Sequence, residues 1–304
     1  MSNAFPSNVL RYGRDEPLPD EIPLQAGPLE LIFSNGDLRS IRVGDREIVQ
    51  RIYVAVRDPN WGTPPLQLAN LQIEQLPGAF NISFDATHRQ GVIDFRWRGA
   101  ITGAADGTLS FTMDGTAHTT FRRNRLGFCV LHPSQECAGL PCVVDHPDGM
   151  LESGVFPELI APDQPFLDIQ AISYEIAGAR AELRFSGDIF EMEDQRNWSD
   201  SSYKTYCTPL ALPFPVTVAA GTRITQSITL AVKAQEGSGD LPQRVKVAAA
   251  VAQTDSSRIQ IDARLTGNAT PLPAIGLRMA SHGQPLVPGE IGRLLALNMS
   301  HLRV

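Results

Sequence analysis

The sequence predicts a mainly β protein: a large antiparallel β-sandwich followed by the first βαβ unit of a (β/α) barrel. Three observations carry this expectation. From about residue 22 to 235, short runs alternate apolar and polar residues at period two and are broken by Gly, Asn, Asp and Pro. No amphipathic helix interrupts that region, and many short strands with frequent turns argue for a sandwich. Near the end, Ile291, Leu294 and Leu295 fall at helical spacing between two strand-like runs.

Residues 1–21 read as an N-terminal extension and 22–235 as the sandwich. Leu29 to Phe33 reads as a strand, and Ser34-Asn35-Gly36-Asp37 as a turn of residues that tolerate positive φ. Strand-like runs follow at Leu38 to Val43, Glu47 to Val56, Phe80 to Phe84, Val92 to Arg98, Leu109 to Met113, Phe128 to Leu131, Ile169 to Ile176 and Ala181 to Phe185. The polar run Gln235 to Asp240 marks a hinge. Residues 236–270 are expected to be a linker with two strands, Arg244 to Ala252 and Arg258 to Leu265. Residues 271–304 give a buried strand at Ile275 to Met279, a helix opened by Pro288, and a second strand from His301. A parallel pair joined by a helix suits a barrel, but a barrel needs eight such units. The expectation is therefore the N-terminal part of a longer protein.

Composition narrows the function. A net charge of −7 offers no surface for phosphate neutralisation, so neither nucleic acid nor an anionic membrane is an expected partner. No apolar run reaches the ~20 residues of a membrane span, and no basic region followed by an apolar core suggests secretion. Four cysteines in 304 residues do not make a disulfide framework, and the cytoplasm is the expected location. No G-x-S-x-G elbow, P-loop or dinucleotide fingerprint occurs, and no cofactor is expected.

The densest chemistry lies in FEMEDQRNWSDSSYKTY, residues 190–206. An extended Phe190 to Asp194 puts Glu191 and Glu193 on one face and Met192 on the other. Gln195 to Ser202 then reads as a loop and Tyr203 to Leu210 as a strand. Carboxylates beside Arg196 and Lys204 can hold sugar hydroxyls or move protons, and Trp198 offers a flat face to a sugar ring. Spacing alone fits equally a loop ion-pair network. A second group is His132, Cys137, Cys142 and His146; its residue types suit zinc, but its spacing is not that of a finger or ribbon, so structural roles are expected and no metal. His118 and the Arg122 to Arg125 run could line a concave sheet face. His282 directly follows the expected first barrel strand, where barrel active sites are assembled.

Four segments together resemble the D-apionate lactonase family: Phe190 to Tyr206, Asn124 to Pro133, Tyr53 to Gly62 and Gly276 to Pro285. The resemblance implies an enzyme of apiose catabolism that hydrolyses an aldonolactone to the aldonic acid. It also implies an N-terminal β-sandwich, a TIM-barrel-like middle domain and a C-terminal domain, so the rest of the barrel and the C-terminal domain become partners of this portion. Lactone opening needs a general base and donors for the oxyanion. Glu191 or Glu193 could be that base, with His282 a further catalytic candidate. Asp194, Arg196, Asn197, Trp198, Asp200 and Lys204 are the candidates for binding the sugar lactone. Three other readings stay open. One is a sandwich-plus-barrel glycoside hydrolase, and another a non-catalytic carbohydrate-binding or purely structural sandwich module. The third, by fold analogy alone, is a galactose-mutarotase-like supersandwich with His and Glu on a concave face.

Overall fold

The computed structural model describes residues 8–9, 16–176, 178–234, 274–278, 285–297 and 299–303. The chain divides into two compact units, residues 1–247 and 248–304.

In the first unit, β1 (Ile22–Ala26), β2 (Leu29–Ser34), β3 (Asp37–Val43) and β4 (Arg46–Arg57) form a meander. Its tight connections use Gly36 at φ +84° and Gly44 at φ +56°, where a side chain would be strained. A second meander, β5 (Leu66–Leu76), β6 (Ala79–Gln90), β7 (Ile93–Gly103) and β8 (Thr108–Ala117), builds the facing sheet. After β9 (Phe121–Arg123), β10 (Arg125–Pro133) returns to the first sheet beside β4 and ends in the single turn α1 (Ser134–Cys137). Strands β11 (Pro141–Asp145), β12 (Leu151–Val155), β13 (Ala171–Ile176) and β14 (Ala179–Ser186) join the second sheet. Then β15 (Glu191–Asp194) and β16 (Ser202–Tyr206) extend the first. Strand β17 (Val216–Val218) pairs with β9, and β18 (Arg223–Ala234) enters the middle of the second sheet.

The result is a seven-stranded sheet ordered β1-β2-β3-β4-β10-β16-β15 and a nine-stranded sheet ordered β12-β11-β13-β14-β18-β8-β7-β6-β5. Every pairing within both is antiparallel. Aromatic side chains join the layers: Phe33 meets Phe84 at 5.9 Å between ring centroids, and Phe111 meets Phe128 at 4.9 Å. Edge-on packing of such rings adds to their burial. Two glycines of β7 make room for this core. Phe84 pairs with Gly99 and Phe80 with Gly103, and each ring occupies the space a side chain on the glycine opposite would need.

The sandwich matches the expected class, and the differences have local causes. The strand expected at Tyr203 to Leu210 stops at Tyr206, because Pro209 has no N–H for a ladder and the Leu210 N–H is taken by Glu191. The expected loop after Asp194 contains a 3₁₀ turn, Gln195–Trp198, capped by the Asp194 carboxylate. Strand β5 was not anticipated, since at this sheet edge its side chains are largely exposed and lack clean alternation. His118 is not on a sheet face; it is exposed in the bend after β8.

In the second unit, β19 (Gly276–Arg278) and β20 (His301–Arg303) pair in parallel across α2 (Pro288–Ala296). Pro288 occupies the first turn and Glu290 accepts from the Val287 N–H, which closes the helix start. This is a βαβ unit, and no third strand joins its two-stranded sheet among the described residues, so the expected barrel is not seen there. The strands expected at Arg244 to Ala252 and Arg258 to Leu265 lie outside the described residues, as does His282.

The glycine cradles are testable. A Cβ on Gly99 would stand 2.3 Å from Phe84 Cζ, and Phe84 is itself wedged against Phe33, Trp97 and Phe111. Gly99→Ala is expected to cost about 2 kcal/mol by overpacking. Urea denaturation checks this, and an unchanged midpoint would refute the cradle.

Candidate functional site

The outward face of the seven-stranded sheet carries a cavity of about 490 Å³ on β4, β10, β15 and β16. Side-chain alternation explains its floor. On β10, Leu126, Phe128 and Val130 enter the core, while Arg125 and Cys129 turn outward to the cavity. On β4, Ile52, Val54 and Val56 go inward, and Tyr53, Ala55 and Arg57 outward. The ladder aligns these residues in rows. Tyr53, Cys129, Tyr206 and Glu191 form one row; Leu131, Lys204 and Glu193 form the next; Arg57 stands directly opposite Arg125. Trp61 and Trp198 complete the wall.

Each polar group has a definable state. Glu191 is buried and accepts from Tyr206 Oη at 2.5 Å and from the Leu210 N–H at 2.7 Å. Burial, then the bond to Glu191, raises the Tyr206 phenol far above its ordinary range, so it stays a donor. Glu193 is ion-paired with Lys204, and its Oε1 also accepts from Gln195 Nε2 at 2.5 Å. Burial raises the thiols of Cys129 and Cys207, which therefore add no negative charge to the cavity. Lys204 lies 5.0 Å from the Tyr206 ring centroid, and Arg125 lies against Trp61 and Phe214 at 5.4 and 4.9 Å.

Of the residues picked out from sequence, the cavity gathers Glu193, Trp198 and Lys204, with Glu191 behind Tyr206. Asp194, Arg196 and Asn197 are engaged elsewhere, in a clamp on the 157–161 segment. Asp194 accepts from Arg196 Nε at 2.9 Å and Nη2 at 2.7 Å and from the Ala161 N–H at 3.0 Å. Arg196 donates to the carbonyls of Pro157, Glu158 and Leu159, and Asn197 to that of Ala161. Burial pushes the Asp194 carboxyl up, but the Arg196 and backbone donors outweigh it and hold it below the usual carboxylate range. Three residues expected to bind substrate thus close a loop. Asp200 is exposed beyond the 3₁₀ turn.

The His132 to His146 group is dispersed. His132 is buried and bonded at 3.2 Å to Tyr174 Oη and at 2.9 Å to Thr205 Oγ1. Tyr174 gives its own proton to the Ile48 carbonyl, so His132 Nδ1 donates to Tyr174 and neutral Nε2 accepts from Thr205. His146 instead meets the Asp168 carbonyl and Glu152. Among the described residues, no cluster of three or more His, Cys, Asp or Glu is arranged to hold a metal ion.

Of the Arg122 to Arg125 run, only Arg125 lines this cavity, and Tyr53, Arg57, Trp61 and Cys129 are lining residues that the sequence did not single out. For Tyr53, Arg57, Arg125 and Cys129 the signal was the outward half of the alternation in β4 and β10, whereas Trp61 lies in the bend after β4. Only the register shows that the two halves meet.

Residues 9–235 match the family described as D-apionate lactonase, N-terminal domain. The chain belongs to that family. It is 42% identical over 238 residues to a D-apionate lactonase of Brucella anthropi, a match covering 76% of this chain and 38% of the relative. The chain thus spans well under half the length of the curated relative it matches. Among solved structures, a Synechocystis sp. PCC 6803 protein shares 10% identity at TM-score 0.50, covering 73% of this chain and 99% of that one. A galactose 1-epimerase from Lactobacillus acidophilus NCFM shares 6% identity at TM-score 0.47, over 73% and 96%. A beta-arabinopyranosidase shares 9% identity at TM-score 0.49, over 70% and 40%. At these identities the likeness concerns the fold alone, an antiparallel sandwich. No helix among the described residues is long and apolar enough to cross a membrane.

The buried His132 gives a pH prediction. Burial lowers its pKa to about 3, against an unfolded value near 6.5. Below about pH 6.5 the unfolded chain takes up a proton that the folded one refuses, so stability falls as pH drops toward 3. Between pH 6.5 and 5 this residue costs up to about 2 kcal/mol at ~1.4 kcal/mol per pH unit. Urea unfolding at pH 7 and pH 5 should show a smaller difference for His132→Gln than for the wild type. Equal differences would mean that His132 is protonated in the fold. His88, lowered by burial in the same direction, remains in both proteins.

Proposed function

We propose that this chain is the sandwich portion of a sugar lactonase, and that the cavity on its seven-stranded sheet holds a D-apionolactone-like aldonolactone for hydrolysis to the aldonic acid. The observation that carries this reading is the 42% identity to a D-apionate lactonase, within a family match that includes every residue of the cavity. The chemistry of the lining supports it. Trp198 is 75% exposed at the rim, where its face can meet a sugar ring. Glu193 has both Lys204 and Gln195 on Oε1, and no described residue bonds Oε2, which is left for water or a hydroxyl.

In this mechanism Glu193 takes a proton from water as the oxygen adds to the lactone carbonyl. Lys204 donates to the developing oxyanion, with its charge already oriented by the pair to Glu193. Collapse breaks the ring C–O bond, and the departing alkoxide recovers the proton from Glu193. The products are one carboxylic acid and one hydroxyl. Glu191 acts through Tyr206 as a positioning residue. The remaining length of the family's proteins is proposed to supply a barrel begun by β19, α2 and β20, and a C-terminal domain, with the enzyme serving apiose catabolism in the cytoplasm.

The test uses the full-length protein with D-apionolactone in a pH-stat, and aryl glycosides in parallel. Acid release from the lactone without phenol release is expected. Glu193→Gln should lower kcat by about 100-fold or more, the usual scale for losing a general base. Phenol release with an untouched lactone would favour a glycoside hydrolase. A fully active Glu193→Gln would remove this cavity from the chemistry.

A further inference from the structure

Arg125 raises a question that a neutral lactone does not answer. Its side chain sits in a residue only 6% exposed, lining the cavity. Nη1 donates to the Asn124 carbonyl at 2.7 Å, while Nε and Nη2 are buried with no hydrogen-bond partner. A buried donor left unmade is costly, and a charged one more so. The two open atoms are not arbitrary: Nε–H and Nη2–H run parallel along one edge of a guanidinium, the fork that takes both oxygens of a carboxylate.

The surroundings sharpen the need for an anion. Arg57, directly opposite across the β4–β10 ladder, bonds only neutral groups, the Trp61 carbonyl and Thr63 Oγ1. Like charges opposed across a ladder destabilise it. Neither arginine has a carboxylate partner among the described residues, since the Glu193 of the cavity is committed to Lys204. The guanidinium of Arg125 is held against the faces of Trp61 and Phe214, rings that are 45% and 42% exposed and meet at 5.3 Å. This stacking fixes the plane of the fork.

We infer that the Arg125 fork, assisted by Arg57, is a carboxylate subsite that binds the open aldonate form of the sugar, reached when the half-exposed Trp61 and Phe214 rings part. It rests on the reading of the cavity as the sugar site and adds the ionised acid to what that site retains. The cavity then holds the product more firmly than a neutral polyol of equal size. A carboxylate is favoured over a phosphate because a single side-on fork and one opposing arginine match two coplanar oxygens.

The experiment titrates the full-length protein with D-xylonate and with xylitol, a pair differing in the carboxylate. Calorimetry gives affinity, and tryptophan fluorescence reports on Trp61, with Trp61→Phe identifying its share. Wild-type protein should bind xylonate about tenfold or more tighter than xylitol, the scale of one charge-assisted pair. Arg125→Gln should abolish that preference, and Arg125→Lys, which keeps charge but loses the fork, should restore only part of it. Equal binding of the two probes by wild type overturns the proposal without using any variant, and the sugar-site reading survives. Binding of neither probe, in a protein that still opens the lactone, overturns the subsite and leaves the lactonase reading intact. An undiminished preference in Arg125→Gln also overturns it.

Discussion

Every second side chain of β10 enters the core between the sheets, and of those between them Arg125 and Cys129 floor the cavity. Leu126, Phe128 and Val130 are sealed among apolar residues of both sheets, and Phe128 packs edge-on against Phe111 of the opposite layer. Arg125 and Cys129 come from the same few residues of backbone but face β4 and β16 neighbours on the outer side. A slip of one residue would exchange the two sets, burying a guanidinium in the core and exposing the phenylalanine. The core therefore fixes the cavity: the free energy holding Phe128 inward also holds Arg125 and Cys129 in register with Arg57, Tyr53 and Tyr206.

Gly127 adds a second constraint on that strand. Its φ is +144°, and a Cβ there would meet Gln226 Oε1 at 2.3 Å and Cys207 Sγ at 2.4 Å. Gln226 reaches in from β18 of the other sheet and accepts from the Phe128 N–H at 3.0 Å. The backbone of β10 is thus tied by a side chain from the opposite sheet, beside the stretch that carries Arg125. Such a tie costs little conformational entropy once the sheets have packed, and it positions the floor more firmly than burial alone.

How much of this was legible in the sequence follows from the range of the interactions. The sandwich was legible because alternation in runs such as Leu38 to Val43 and Ala181 to Phe185 is a local consequence of one buried face. The lactonase family was legible because four segments carry long, specific strings. The pairing of Arg57 with Arg125 was not, since it joins positions 68 residues apart and depends on β10 returning beside β4. Local charge density also misled. Glu193, Asp194, Arg196 and Lys204 look like one cluster in the chain, but the ladder sends Glu193 and Lys204 outward together and puts Asp194 with Arg196 against the 157–161 segment.

That division explains why residues 190–206 hold so much charge without an apolar face of their own. The hairpin must satisfy three environments within two short strands and a turn. Met192 and Tyr203 are fully buried in the core. Asp194 and Arg196 close a loop by bonding its backbone, and a pair with this many hydrogen bonds avoids the desolvation penalty that makes isolated buried charges costly. Glu191, Glu193 and Lys204 are what remains on the outward face, Glu193 and Lys204 lining the cavity and Glu191 buried behind Tyr206. Glu193, which faces the cavity, is compensated within the hairpin by Lys204, and Glu191 behind it takes donors from Tyr206 and from Leu210 just beyond the hairpin. Across the floor, Arg57 and Arg125 have no carboxylate partner among the described residues. The asymmetry gives the cavity a self-neutralised side suited to hydroxyls and a cationic side suited to an acid, which is the basis for proposing an aldonate there.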